Sequence, residues 1–423
     1  MFSSSTARSW LRPGLLAGTA ALAALLPVSF ANATSAGPTV PHDFAISLFA
    51  SAPTGDSSPD DISRLGDELF VGYQNGVGPN GEPSASGVTA STIVEYNPDG
   101  SVANQWSVTG KVDGLGSDPE NHRVIATVNE DSNSSLVTIT PSAAASDQLV
   151  HYLYSPSPSP ASGSGPTLTG GGTDAVTVTP HGTILIAASN PQSLGATPQT
   201  IVGGPLTATF QVVLTPPAAG ATTGVAALSP TLLDDSQATL APADTSSVAL
   251  ALSDPDSNAY VPDSSPLYAR QFLQVSQGDH QLIFASDIGS DGAAYNASDL
   301  TVLNLQEQVG ATTVSAGVDD VRWVDGHGGT FYVVDDSGGP GGNGAVYAIT
   351  GAFSPGEVLA AVSETGAPNS SAVVADGQTV DTLNLATGVL TPFATGFVKA
   401  SGEVWVPGER SAHHRRHGDR DDD

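Results

Sequence analysis

The chain has 423 residues, of which 39% are hydrophobic, so it is long enough to bury a large core in one β domain or in two smaller ones. Its 42 acidic and 12 basic side chains give a formal net charge of −30, which excludes nucleic acid and anionic lipid as main partners because such a field repels phosphate. The chain has no cysteine, which excludes a disulfide-stapled scaffold.

The chain begins with the parts of a secretory signal in their usual order. Arg8 and Arg12 precede a small and apolar run over 15–28, which leads to Ala-Asn-Ala at 31–33. We predict cleavage after Ala33, an extracellular or cell-surface location, and a linker over 34–43. The alternative is a membrane anchor, but the apolar run is shorter than the ~20 residues of a bilayer span. We therefore expect no membrane span.

Residues 44–407 predict an all-β domain. Short β-branched runs bounded by Gly, Asp, Asn and Pro recur, and no run of ten or more residues has the apolar spacing of a helix. The clearest block predicts three consecutive strands, at 319–324, 330–335 and 345–349. The same pattern of an aspartate, a strand, a turn and two further strands recurs upstream. These units begin at Asp61, Asp113 and Asp174, and a weaker copy opens with a strand at 270–275.

Four short strands in every ~40 to 50 residues are typical of one blade of a β-propeller. The units predict a six- or seven-bladed propeller. Residues 46–51 resemble residues 390–395, and if both are outer strands, the N-terminal strand completes the blade that contains 403–406. This closure would leave no free sheet edge. A two-domain β-sandwich is the alternative, but it does not explain the repeated aspartate. Residues 408–423 predict a disordered charged tail.

The blocks at 174–187 and 319–335 resemble the NHL-repeat and gluconolactonase-like propellers. The likeness lies in the order of an acidic residue, a short inner strand, a Pro-x-Gly or Asp-Gly turn and a further strand, and it covers most of 44–407. The gluconolactonase-like branch implies a divalent cation on the propeller axis, held by a Glu and by Asn and Asp residues that begin inner strands. Members of these families range from calcium-dependent lactonases to binding scaffolds.

Four aspartates stand at the starts of predicted inner strands: Asp61, Asp113, Asp174 and Asp320. In a propeller these starts converge on one mouth of the central channel. Carboxylates 4 Å apart repel by ~4 kcal/mol per pair at an effective dielectric of ~20, unless a proton or a cation intervenes. Ca²⁺, which takes about six to eight oxygen ligands, is therefore the predicted cofactor. The alternative is that each aspartate caps its own turn by accepting backbone N–H groups.

Other polar residues predict surface turns. Four histidines precede predicted strands and are expected on a blade rim facing solvent, and the stretch 254–258 is expected to be a polar surface turn. These histidines are His122, His181, His280 and His327. No serine-hydrolase elbow, zinc-protease motif or phosphate-binding loop occurs.

The sequence therefore predicts a secreted, monomeric, acidic propeller that binds a small molecule, a glycan or a protein at its channel mouth. The alternative is a metal-dependent lactonase or ester hydrolase with Asp113 and Asp174 as metal ligands. A third possibility is a stable coat protein with no small ligand, in which case calcium chelation would leave the melting temperature unchanged.

Overall fold

The computed structural model describes residues 37–158, 171–191, 207–234, 236–241, 246–250, 252–286, 298–368 and 376–408. The predicted signal sequence over 1–33 and all but the first residue of the predicted tail lie outside the described residues. The described part of the chain is all β, as predicted. Within these ranges no helix has the length and apolar character that a membrane crossing requires.

The described residues form 27 strands. They are β1 (Phe44–Ser51), β2 (Pro59–Leu65), β3 (Glu68–Tyr73), β4 (Ala90–Tyr96), β5 (Val102–Thr109), β6 (Val112–Asp118), β7 (Arg123–Val128), β8 (Ser135–Ile139), β9 (Leu149–Ser155), β10 (Thr173–Val178), β11 (Ile184–Ala188), β12 (Thr207–Thr215), β13 (Thr223–Leu233), β14 (Gln237–Leu240), β15 (Ser247–Ala249), β16 (Asn258–Tyr260), β17 (Phe272–Ser276), β18 (Gln281–Ala285), β19 (Leu300–Asn304), β20 (Gln306–Val309), β21 (Thr312–Trp323), β22 (Gly329–Asp335), β23 (Ala345–Gly351), β24 (Val358–Thr365), β25 (Asp376–Asn384), β26 (Val389–Thr395) and β27 (Ala400–Pro407).

Four sheets, each of four antiparallel strands, are built from strands that follow one another along the chain. Sheet 1 is β2–β5, sheet 2 is β6–β9, sheet 3 is β10–β13 and sheet 4 is β16–β19. The units predicted from Asp61, Asp113 and Asp174 thus each form one sheet. Strands such as β7 and β11 are almost entirely buried because neighbouring sheets cover both of their faces, which explains their nearly continuous apolar sequences.

The two remaining sheets are interleaved along the chain. Sheet 5 has the order β21-β24-β25-β26, and sheet 6 has the order β27-β22-β23-β1. The prediction that the strands at 319–324, 330–335 and 345–349 belong to one blade is therefore wrong, although all three strands exist. Gly329 marks the change of sheet, with a φ of +148°, and a Cβ there would lie 2.4 Å from the carbonyl oxygen of Val406 on β27. Only glycine lets β22 approach β27 this closely.

The N-terminal strand closes the ring as predicted. β1 pairs antiparallel with β23 and is the outermost strand of the sheet whose innermost strand is β27. The predicted outer strand at 390–395 lies in β26, the fourth strand of sheet 5. The predicted linker is partly ordered, because Thr39 and Thr395 exchange backbone hydrogen bonds of 2.8 and 3.0 Å.

Sheet 4 differs from the prediction at its inner edge. The strand expected at 270–275 is β17, the second strand, and the innermost strand is β16. β16 has only three residues, between Pro255 and Pro262, and is too short to show the alternation by which a strand is recognised. Farther out, β9 pairs in parallel with β13 and so joins sheets 2 and 3, while β14 pairs in parallel with β19.

The hydrophobic core follows the ring. It consists of six clusters in the described residues, and each cluster combines side chains from two adjacent sheets. Between sheets 1 and 2, for example, Phe70 and Trp106 stack with ring centroids 6.1 Å apart and pack with Leu115. Because each of the six sheets packs on two neighbours, the described strands close into a β-propeller around one axis.

Candidate functional site

The two ends of the innermost strands open into different cavities. A cavity of about 470 Å³ lies where these strands begin, and a narrow channel of about 30 Å³ continues from it along the axis. We call the first cavity the acidic mouth. Its charged residues are Asp60, Lys111, Asp113, Glu130, Asp131, Asp254, Asp256, Asp319, Glu364 and Lys399. A larger cavity of about 850 Å³, here called the far mouth, lies where the innermost strands end.

The structure brings the four predicted site residues together. Asp61, Asp113, Asp174 and Asp320 all line the axial channel, although dozens of residues separate them in the sequence. Asp113 and Asp174 are each only 4% exposed, and both lie on innermost strands, β6 and β10. The convergence expected from the propeller geometry is therefore found.

Two of these four aspartates use their oxygens as caps. Asp61 Oδ1 accepts from the backbone N–H of Ile62 at 2.7 Å, and Asp61 Oδ2 accepts from that of Leu115 on the next innermost strand at 2.6 Å. Asp320 likewise accepts from the backbone N–H groups of Val321 and Glu403, both at 2.8 Å. For Asp61 and Asp320 the geometry favours capping, and the caps tie neighbouring sheets together at the axis.

Asp113 is arranged differently. Its Oδ1 accepts from Gln74 Nε2 at 3.0 Å and lies 3.1 Å from Lys111 Nζ, which also contacts Glu130 Oε1 at 2.6 Å. Its Oδ2 is buried and has no hydrogen-bond partner among the described residues. Since Asp113 lines both the acidic mouth and the channel, a carboxylate with unused binding capacity stands at their junction.

Sequence reasoning missed most of the acidic mouth. In each of the two aspartate doublets, at 60–61 and 319–320, the second aspartate was predicted as the site residue, whereas the first aspartate lines the acidic mouth. Successive side chains of a strand point to opposite sides, so a doublet places only one carboxylate toward this cavity. The stretch 254–258, expected as a surface turn, supplies Asp254 and Asp256. Both lysines of the chain, Lys111 and Lys399, also line this cavity.

The acidic mouth concentrates negative charge. Eight carboxyl groups against two ammonium groups give its lining a formal charge of −6. Desolvation and neighbouring acids raise the pKa of Asp60 to about 6 and that of Asp254 to about 6. Burial also raises the pKa of Asp113 and Asp256 well above the usual range. Burial opposes the Lys111 ammonium, but Asp113, Glu130 and Asp60 outweigh it and raise the pKa of Lys111.

The histidines divide into two groups. His122, His181 and His327 are exposed in turns, as predicted. The prediction for His280 is wrong: it is 1% exposed, and its Nε2 and Nδ1 contact Glu364 Oε1 at 2.8 Å and Ser315 Oγ at 2.9 Å. The turn before β18 packs against β21 and β24 of the next sheet, and these strands cover the imidazole ring of His280. Among the described residues no histidine lines the acidic mouth.

The fit of a metal ion to these residues is partial. In the part of the chain that the structure describes, no three His, Asp or Glu side chains form a group that could hold a metal ion. The unpartnered Oδ2 of Asp113 is the atom that best suits a hard cation. An ion bound there would complete its coordination shell with water molecules, as Ca²⁺ commonly does.

Comparison with known proteins assigns no family. No protein-family model matches the chain, and no curated protein sequence matches it. Among solved structures, hydrazine synthase from Kuenenia stuttgartiensis is 14% identical with a TM-score of 0.34, covering 78% of this chain and 67% of that one. A glucose dehydrogenase is 11% identical with a TM-score of 0.33, covering 73% of this chain and 100% of that one. The β-propeller domain of Cps50 (Swd1) from Myceliophteria thermophila is 11% identical with a TM-score of 0.31, covering 79% of this chain and 96% of that one. The propeller fold therefore rests on the strand pairing and the ring of core clusters.

Proposed function

We propose that the chain is a secreted β-propeller that works as an extracellular binding or scaffold module, and that its acidic mouth binds a divalent cation, with Ca²⁺ as the best match. The observation that carries this proposal is the buried Oδ2 of Asp113, which has no partner among the described residues and lies at the junction of the mouth and the channel. The signal-like sequence ending at Ala33 supports export.

The charge of the mouth selects the class of ligand. Eight carboxyl groups repel anions and offer oxygen atoms, which are the ligands that Ca²⁺ prefers. Lys111 neutralises part of this charge, because its ammonium lies 3.1 Å from Asp113 Oδ1 and 2.6 Å from Glu130 Oε1. With few direct protein ligands and several waters, the ion would bind weakly, with a Kd of about 10⁻⁴ to 10⁻³ M, as in extracellular calcium modules.

A weakly coordinated cation would give the mouth a means of capturing a partner. Its water-occupied positions can be taken by oxygen atoms of a small molecule, a glycan or a protein. The cavity of about 470 Å³ around it has room for such a group.

Titration calorimetry with CaCl₂ on the chain from residue 34 onward tests this proposal. We expect the variant Asp113→Asn to weaken Ca²⁺ binding at least about tenfold, because a bound cation displaces the proton of Asp113 and gains a charged oxygen ligand that an amide cannot supply. The matched control is Asp67→Asn, which makes the same change of charge at a side chain 87% exposed outside the mouth. Absence of Ca²⁺ binding to the unmodified chain, or equal losses in both variants, would contradict the proposal.

A second candidate is a metal-dependent lactonase or ester hydrolase of the gluconolactonase-like kind, with Asp113 and Asp174 as metal ligands. The specific observation in its favour is Asp254, which lines the mouth and whose pKa is raised to about 6 by desolvation and neighbouring acids. A base with this pKa can accept a proton from an attacking water near neutral pH. The cavity beside it is open.

Hydrolysis of a panel of lactones and esters in the presence of Ca²⁺ separates the two candidates. For the enzyme we expect kcat to fall about a hundredfold or more in Asp254→Asn, and to fall in the unmodified chain as the pH drops through about 6. Asp67→Asn should leave kcat unchanged. Calcium binding without hydrolysis of any compound on the panel leaves the binding module as the function.

A further inference from the structure

The far mouth differs from the acidic mouth in size and in electrostatics. Its volume of about 850 Å³ lies within the ~300–1,000 Å³ that is usual for ligand sites. It opens at the opposite end of the axial channel, where strands such as β2, β6 and β16 end. Arg322 lines both the channel and the far mouth.

The charges of the far mouth are nearly balanced. Its lining has four carboxyl groups and three guanidinium groups. Most are already paired: Arg270 Nε lies 2.5 Å from Asp263 Oδ1, Arg322 Nη1 lies 2.6 Å from Asp320 Oδ1, and Asp118 is bound by Arg123 at 2.8 Å. The lining of the cavity therefore has a formal charge of only −1, which is too small to select an ion. A neutral ligand also escapes the repulsion that the formal net charge of −30 exerts on an anion.

The far mouth nevertheless offers specific polar contacts beside apolar surface. Asn258 is 2% exposed; its Nδ2 donates to the carbonyl oxygen of Ala175 at 3.2 Å, and its Oδ1 has no partner among the described residues. Val178 and Val404, which are both partly exposed, contribute aliphatic surface to the same cavity, and Tyr260 contributes an aromatic ring. A ligand that fits must present hydroxyl groups together with an apolar face.

We propose that the far mouth is a second binding site and that it takes a neutral oligosaccharide. A pyranose ring carries C–H groups on one face, which pack against aliphatic and aromatic side chains, and hydroxyl groups around its edge. A hydroxyl can donate to Asn258 Oδ1, and neighbouring hydroxyls can bind the paired carboxylate and guanidinium groups of Asp263 and Arg270. This site is separate from the cation site, so either can fail without the other.

The test is a glycan array carrying neutral, sialylated and sulfated oligosaccharides, including cellotriose, maltotriose and chitotriose, followed by calorimetric titration of the neutral compound that binds best. Tyr260→Ala should weaken its binding about tenfold, because aromatic side chains dominate such contacts. His181→Ala should weaken it about fivefold through the loss of one hydrogen bond at the rim of the cavity. Since Tyr260 lies on an innermost strand, the exposed His181 provides a readout that does not depend on folding of the Tyr260 variant.

The matched control is His122→Ala. His122 is exposed in the corresponding turn of the adjacent sheet, before β7, but it does not line the far mouth. The Kd of the His122→Ala variant for the same neutral oligosaccharide should stay within about twofold of that of the unmodified chain. The proposal is overturned if no neutral oligosaccharide binds, if only charged glycans bind, or if binding survives Tyr260→Ala and His181→Ala but is lost in Asp113→Asn.

Discussion

Glu403 offers the sharpest test of the interior of the propeller. It lies on the innermost strand β27, its side chain is fully buried, and neither carboxylate oxygen has a hydrogen-bond partner among the described residues. Burial raises the pKa of Glu403 well above the ordinary value of 4.5, and the nearby Asp320 raises it further. The folded protein therefore holds a proton on Glu403 at pH values at which the unfolded chain has lost it.

This difference sets the sign of the pH dependence. Between the unfolded pKa of 4.5 and the raised folded pKa, the unfolded chain binds fewer protons than the folded protein, so the free energy of unfolding falls as the pH rises. One such group contributes a slope of about −1.4 kcal/mol per pH unit. Glutamine has nearly the same shape but does not titrate. Between about pH 5 and the folded pKa, the free energy of unfolding of Glu403→Gln should therefore rise relative to that of the unmodified protein by about 1.4 kcal/mol per pH unit.

Urea unfolding at pH values from about 4 to 8 measures this gain. The two proteins should differ little near pH 4, where the carboxyl group is neutral in both states, and the difference should grow as the pH rises from the unfolded pKa toward the folded pKa. The control is Glu120→Gln, because Glu120 is exposed on the surface. A difference between Glu403→Gln and the unmodified protein that stays constant with pH, or a variant that is less stable near pH 7, would refute this account of the buried carboxyl group.

Three further predictions concern the mouth and the ring. Ca²⁺ affinity, measured by calorimetry, should rise between about pH 5 and pH 7, because Asp60 and Asp254 have pKa values of about 6 and attract the cation only when ionised. Lys111→Met should strengthen Ca²⁺ binding about tenfold in the same assay, since it removes the ammonium that lies 3.1 Å from an Asp113 oxygen. Weaker binding would contradict the idea that this ammonium and the cation compete for Asp113. Gly329→Ala should destabilise the fold by more than about 2 kcal/mol in urea unfolding, whereas Gly326→Ala, at a positive φ with open space around it, should cost about 1 kcal/mol; equal losses would exclude a role for the close approach to β27.

The repeated pattern of the sequence was enough to predict the ring. Each strong unit opens with an aspartate and contains strands that are buried on both faces, and the likeness of 46–51 to 390–395 indicated the closing strand. The interleaving of sheets 5 and 6 could not be predicted, because the alternation within a strand does not say which neighbour that strand pairs with. The strand β16 was not predicted, because three residues are too few to show the alternation of buried and exposed side chains that identifies a strand.

The candidate site was predicted in its location but not in its composition. The starts of the innermost strands converge at the axis of a propeller. For this reason Asp113 and Asp174, which stand at such starts, could be placed at the channel. The choice between the two members of a doublet such as 60–61 depends on the side of the strand that faces the axis. A sequence contains this information only where the exact start of the strand is known. Glu130, from the loop after β7, reaches the mouth through tertiary packing alone.

The interleaved order of sheets 5 and 6 has a consequence for biosynthesis. Sheet 6 takes its outermost strand from the beginning of the domain, its two middle strands from the region around residue 340 and its innermost strand, β27, from the last described residues. A growing chain can assemble sheets 1 to 4 in the order in which they are made, but the circle stays open until residue 407 has emerged. Until then the parts of sheets 1 and 5 that pack on β27, through residues such as Val404 and Trp405, remain uncovered. A chain that lacks Ala400–Pro407 should therefore persist as an unfinished, association-prone intermediate.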